Sequence, residues 1–164
     1  ISLDVWSIEN NWAFKNKLVK LNEDDKLNSI AKGCFYNYDS LVINLHNFSY
    51  NLRYYKDFAS SKKLDILQSK SLYKNLNPTT EANILRAFFI KHKLGVTFTE
   101  NTYYYLIRKI GSLDDSYNNN SISRLLEIKM QYPKYNELTD ELLIQYINNL
   151  KTQDLPNNQL IIDI

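Results

Sequence analysis

Two short amphipathic helices, predicted at 100–110 and 121–130, constrain the fold of this chain more than any other feature. In the first helix Leu106 and Ile110 lie along one side, and the turn that follows is predicted to start at Gly111. The second helix has its own apolar stripe, formed by Ile122, Leu125, Leu126 and Met130. Because such a hairpin cannot bury its apolar sides alone, we expect it to stack on similar hairpins.

The same apolar spacing occurs at two other places in the chain. Leu72 precedes Leu106 by 34 residues, and Leu143 follows Leu106 by 37 residues. Each of these leucines is followed four residues later by another leucine or isoleucine. A period of 34 to 37 residues with two helices per unit is typical of an α-solenoid. We therefore predict an all-α fold of seven or eight helices, in which antiparallel helical hairpins stack as a short α-solenoid.

A more specific pattern surrounds the first of these helices. Gly95 follows one predicted helix, and after a short turn the sequence Thr-Tyr-Tyr-Tyr-Leu-Ile occupies 102–107. This run resembles the junction between pentatricopeptide repeats, and the helix that closes on Met130 resembles the second helix of such a repeat. The resemblance covers about residues 64–150. It implies a protein that binds single-stranded RNA in mitochondria and acts in RNA processing, stability or translation.

The resemblance also implies which residues contact RNA. In such proteins each repeat addresses one base through two side chains. By position, these are Ser71 with Glu100, and Tyr105 with Glu137. Serine is usual for the family at the first place, whereas Tyr105 and both glutamates differ from its common pairs. A base-by-base code is therefore not readable from this sequence.

Tyrosines and cations also interleave on the helix at 100–110, where Tyr104 precedes Arg108 and Lys109. Rings that stack on unpaired bases and cations that hold phosphates are the combination that single-stranded RNA recognition uses. The alternative is that the tyrosines belong to the core and the cations form a solvated face.

A second functional hypothesis follows from the departures at Tyr105, Glu100 and Glu137 and from the weak charge. A net charge of +2 is modest for an RNA-binding protein. The alternative function is therefore a non-catalytic scaffold for protein–protein interaction, or a structural subunit of a larger complex such as a ribonucleoprotein. A basic groove lined by tyrosines would favour RNA, whereas a continuous apolar surface patch would favour a protein partner.

Helices are also predicted in the first half of the chain, at 4–21, 26–32, 39–55 and 62–76. The helix at 39–55 is the clearest long one, with apolar residues at Leu41, Val42, Leu45, Phe48, Leu52 and Tyr55. The chain has three glycines and three prolines, too few for the many tight turns of a β-sandwich or barrel.

We divide the chain into an N-terminal helical segment at 1–60, a helical-repeat region at 61–156 and a C-terminal tail at 157–164, all within one continuous domain. The chain begins at Ile1. This start leaves two alternatives open, a removed leader and a piece of a longer protein.

Residues with catalytic chemistry are few and scattered. His46 and His92 lie on separate predicted helices without a second ligand at helical spacing, and Cys34 has no motif around it. We therefore expect no enzyme activity, no cofactor, no metal and no small-molecule substrate. No apolar run reaches the ~20 residues that a bilayer-spanning helix needs, so no membrane span is expected.

Overall fold

The structure, a computed structural model, describes residues 7–68 and 79–152 and is mostly helical. The α-helices within these residues are α1 (Trp12–Lys15), α2 (Lys26–Lys32), α3 (Arg53–Ser61), α4 (Thr80–Leu94), α5 (Glu100–Ser116), α6 (Ser121–Met130) and α7 (Asp140–Thr152). Short 3₁₀ helices lie at Ile8–Asn10, Glu23–Asp25, Asn37–Asp39 and Pro133–Tyr135. None of the helices in this part of the chain is both long and apolar enough to cross a membrane.

Two small sheets accompany the helices. Strand β1 (Val42–Ile43) pairs antiparallel with β2 (Tyr50–Asn51), and β3 (Lys63–Leu64) pairs parallel with β4 (Thr97–Phe98). The mostly helical class is confirmed, but the two sheets were not predicted.

The second half of the chain follows the sequence prediction closely. Helix α6 has the predicted bounds, and in α7 Leu143 and Ile147 are fully buried at the predicted spacing. Helix α4 contacts α5 and α6, and α7 contacts α5 and α6. The first predicted repeat begins near Leu72, which lies outside the described residues. The stacked-solenoid arrangement therefore stays a prediction.

Helix α5 is longer than predicted. Gly111, expected to start a turn, lies inside the helix, which continues to Ser116. The apolar stripe also continues, because Leu113 is buried together with Leu106 and Ile110. Burial along the whole stripe outweighs the poor helix propensity of one glycine.

Helix α6 differs from the prediction in its last turn. Met130, assigned to the apolar stripe, is 77% exposed. Lys129 is buried instead, and its ammonium group contacts the Asp140 carboxylate at 2.6 Å. A lysine can be buried at this position because its charge has a partner.

The first half of the chain contains less helix than predicted. In place of a helix at 4–21, its described part forms a 3₁₀ turn and the four-residue α1. The helix at 26–32 has the predicted bounds. The predicted helix at 39–55 is wrong, because residues 42–51 form the β1–β2 hairpin and α3 begins only afterwards. The predicted helix at 62–76 is also wrong over 62–68, where β3 forms.

Asparagine side chains explain why a hairpin replaces the long helix. The side-chain oxygen of Asn44 accepts a hydrogen bond from the His46 N–H at 2.9 Å, and that of Asn47 accepts one from the Ser49 N–H at 3.1 Å. Phe48 between them has a φ of +56°, in the left-handed region. Such local turns compete with helix formation, and here they outweigh the helical spacing of the apolar residues.

The two halves share one hydrophobic core. The Tyr36 hydroxyl donates to the Asn83 carbonyl at 2.9 Å, and the Asn37 amide donates to the Lys63 carbonyl at 3.1 Å. Phe58 of α3 belongs to the same buried cluster as the apolar stripes of α4 to α7. The core therefore joins Tyr36 and Phe58, which precede and follow the hairpin in the chain, to the helices of the second half.

Candidate interaction surface

Five of the predicted RNA-contacting residues lie on α5. Glu100, Tyr104 and Arg108 share the side of the helix opposite to its buried stripe, since they are spaced by four residues. Glu100 and Arg108 are exposed, and Tyr104 is half-buried. Tyr105 and Lys109 lie on a flank of the same helix and are also half-buried.

Tyr105 packs against the core. Its ring meets the ring of Phe35 edge to face, with the ring centroids 5.6 Å apart. This geometry is favourable for two aromatic rings, so Tyr105 contributes to the packing between α5 and the N-terminal region.

The other two predicted residues are not on α5. Ser71 lies outside the described residues. Glu137 precedes α7, and its carboxylate forms an ion pair with the Lys93 ammonium group of α4 at 3.3 Å. Both side chains are at least half exposed, so this pair contributes little to stability.

Other interleaved cations and rings pack on each other. The Lys91 ammonium group lies 5.3 Å from the ring centroid of Phe98 and 5.6 Å from that of Tyr146. The Lys134 ammonium group lies 5.0 Å from the ring centroid of Tyr135, which is buried. For these residues, the interleaving serves cation–π packing within the molecule.

The largest concentration of exposed apolar side chains lies on the β1–β2 hairpin. Ile43 and Tyr50 are paired across the two strands and lie on one face, to which alternation along the strand also brings Leu41. Leu45 and Phe48 lie in the connection between the strands. We call this surface the hairpin face; its members and their exposed fractions are Leu41 (44%), Ile43 (50%), Leu45 (81%), Phe48 (74%) and Tyr50 (66%).

The opposite face of the hairpin is covered. Helix α2 contacts both β1 and β2. Val42 and Asn51, which pair across the strands in the register next to Ile43 and Tyr50, are half-buried. The hairpin is therefore held by α2 from one side and presents Ile43 and Tyr50 to solvent on the other.

Partly buried polar groups fix the base of the hairpin. The Arg86 guanidinium of α4 donates to the Asp39 carboxylate at 2.5 Å. Burial raises the pKa of Asp39 above its usual value, although Arg86 acts in the opposite direction. The Cys34 thiol donates to the Asp39 carbonyl at 3.3 Å, and burial raises the pKa of this thiol to about 12. Cys34 is therefore protonated and unreactive at neutral pH.

The sequence does contain a signal for the hairpin face. Leu41, Ile43 and Leu45 alternate with other residues, as do Phe48 and Tyr50, and this period of two is typical of strands. Asn44 lies within the first run and Asn47 directly precedes the second, and asparagine is common in turns. The sequence interpretation instead gave more weight to a helical spacing over the same residues.

Comparison with known proteins finds no matching family model, no similar curated protein and no similar solved structure.

Proposed function

We propose that this chain is a non-catalytic docking module that attaches to a protein partner in a larger assembly. The hairpin face is the surface that contacts the partner. The observation that supports this proposal is the exposure of five apolar side chains on and next to a two-stranded hairpin. Contiguous apolar patches on a protein surface mark interaction sites.

The two most exposed members of the hairpin face are suited to be anchors. Transfer of a leucine or phenylalanine side chain out of water contributes about 1.5–3 kcal/mol. Leu45 and Phe48 are more than two-thirds exposed, so a partner gains most of that contribution when it covers them. Large apolar side chains at the centre of an interface commonly dominate its affinity.

The experiment compares the parent chain with a double variant, Leu45→Ser with Phe48→Ser, in cells that naturally produce the protein. Size-exclusion chromatography of gently lysed cells, followed by chemical crosslinking of the fractions, measures how much of the chain is in an assembly. Met130→Ser is the matched control, because Met130 is similarly exposed but lies on α6. We expect the parent and the control to elute in a large complex and the double variant to elute as a free chain.

Two results would contradict this function. The double variant would remain in the complex if the hairpin face were not the contact, and the parent would elute alone if the chain had no stable partner. The urea midpoints of all three proteins show whether each variant is folded, and we expect them to agree closely because exposed positions contribute little to stability.

RNA binding through α5 is a second candidate. It is supported by the resemblance to pentatricopeptide repeats and by the common face of Glu100, Tyr104 and Arg108. Binding of the chain to a pool of single-stranded RNA at low and high salt tests it, with Arg108→Ala and Lys109→Ala beside the parent. Salt-sensitive binding that both changes weaken is the result expected for RNA recognition. Tyr105→Ala is less informative, because that ring also packs on Phe35.

A further inference from the structure

Charge is distributed unevenly around the hairpin face. Residues 40–52 contain no lysine, arginine, aspartate or glutamate. Residues 53–64 contain a single acid, Asp57, and four cations, Arg53, Lys56, Lys62 and Lys63. The whole chain has twenty cations and eighteen acids, so its remaining parts hold sixteen cations and seventeen acids. Residues 53–64 therefore have a net charge of +3, against +2 for the whole chain, and they directly follow the hairpin in the sequence.

These four cations face solvent. All of them are exposed, and none takes part in an ion pair with another residue in the ranges 7–68 and 79–152. The Arg53 N–H donates to the Asn51 side-chain oxygen at 3.0 Å, which places the start of α3 at the base of the hairpin. Arg53 and Lys56 lie in the first turn of α3, next to the hairpin, and Lys62 and Lys63 follow the last residue of this nine-residue helix, about 13 Å further along.

We propose that the protein partner presents an apolar groove with an acidic rim, an inference that rests on the proposed function of the hairpin face. The groove covers the apolar side chains, and acidic groups on its rim face the cations of residues 53–64. Complementary charge of this kind accelerates association and excludes wrong partners.

The same charges disfavour a second copy of this chain as the partner. Two hairpin faces packed together would bring two copies of the positively charged residues 53–64 close to each other, and like charges across an interface are unfavourable.

The tip of the hairpin disfavours a lipid bilayer. Asn44, His46, Asn47 and Ser49 are interspersed with the apolar residues there. Moving these polar groups into hydrocarbon costs free energy, because hydrocarbon offers them no hydrogen bonds. A protein surface can supply hydrogen bonds, so this cost is smaller there.

The test uses two synthetic twelve-residue peptides that share leucines at alternate positions. At the positions between the leucines, one peptide has glutamate and the other has lysine. Fluorescence anisotropy with the full 164-residue chain measures their affinity at low ionic strength and in about 0.5 M salt, where the Debye length falls below about 8 Å. We expect the glutamate peptide to bind at least tenfold more tightly than the lysine peptide, and salt to reduce this preference.

Substitutions separate the charge contribution from the apolar one. Lys56→Glu with Lys62→Glu should abolish the preference between the peptides, whereas Arg108→Glu on α5 should leave it unchanged. Leu45→Ser with Phe48→Ser should weaken binding of both peptides. Each comparison uses the same chain, and a circular-dichroism spectrum identical to that of the parent shows that the fold is intact.

Three results of the peptide experiment would overturn the acidic-groove inference. These are equal affinity for the two peptides, no binding of either peptide, and loss of the preference in Arg108→Glu. Binding to vesicles of phosphatidylserine without a peptide preference would assign the face to a membrane and would also overturn it. If the hairpin substitutions still release the chain from its cellular complex, the docking function stands and only the charge inference fails.

Discussion

The apolar stripes of the helical region, α4 to α7, are buried in the core, whereas most apolar residues of the β1–β2 hairpin are exposed. In the helical region Leu106, Leu143 and Ile147 are fully buried, because each helix covers the stripe of its neighbour. In the hairpin Leu45 and Phe48 are as apolar but lie in solvent. The comparison separates residues that stabilise the fold from residues that the described structure leaves available for a partner.

Stability measurements should give the largest difference between the two regions. Leu106→Ala removes a fully buried side chain and should lower the free energy of unfolding by about 2–5 kcal/mol. Leu45→Ala alters an exposed side chain and should change it by less than about 0.5 kcal/mol. Urea denaturation followed by circular dichroism measures both values. Similar losses in the two variants would mean that the hairpin face is covered by the chain itself.

A carboxylate in each region should make the free energy of unfolding depend on pH, with opposite signs in the two regions. Burial raises the pKa of Asp39 at the base of the hairpin. Burial also acts to raise the pKa of Asp114 in α5, but hydrogen bonds from Lys151 and Ser121 outweigh it and hold this pKa below its usual value. As pH rises, the unfolded chain releases the Asp39 proton before the folded chain does, so stability falls through that window. For Asp114 the folded chain releases its proton first, so stability rises with pH up to the pKa of the unfolded chain.

Two variants test this difference between about pH 3 and pH 6, the range around the ordinary pKa of aspartate. Relative to the parent, Asp39→Asn should become more stable as pH rises, and Asp114→Asn should become less stable. Urea midpoints at each pH give the two slopes. Slopes of the same sign would show that one of the two carboxylates is not in the environment described above.

Substitution of two glycines in the helical region should change stability by a smaller amount. Gly95 follows the last residue of α4, and Gly111 lies inside α5. A Cβ at Gly111 meets no atom within 4 Å, so Gly111→Ala should stabilise the protein by about 0.5–1 kcal/mol. Gly95 has a φ of +62°, and Gly95→Ala should destabilise it by about 1–2 kcal/mol although the space there is also open. Thermal unfolding distinguishes them by the sign of the shift in Tm. A stabilising Gly95→Ala would contradict the left-handed end of α4.

Sequence reasoning succeeded where one strong local preference coincided with burial. Helix α6 was predicted with its observed bounds, because its apolar residues follow the helical period and polar turns flank it. Its last turn was misjudged, since nothing local shows that Lys129 has Asp140 as a partner eleven residues later.

The hairpin region was mispredicted because two patterns coexist in it. Leu41, Leu45, Phe48 and Leu52 follow a helical spacing, whereas Leu41, Ile43 and Leu45 follow a strand spacing. The turns at Asn44 and Asn47 decide between the two. Exposure was not predictable either, because a strand pattern shows that one face differs from the other and does not show which face is covered.

The parallel pairing of β3 with β4 has a consequence for how the protein is made. Lys63 finds its strand partner in Thr97, which a ribosome adds 34 residues later. Because a ribosome adds about 5–20 residues per second, a delay on the order of seconds separates the synthesis of β3 from that of its partner β4. The hairpin, which precedes β3, is made earlier still. The apolar hairpin is thus synthesised before its support is complete, and a nascent-chain chaperone or the partner itself would meet it first.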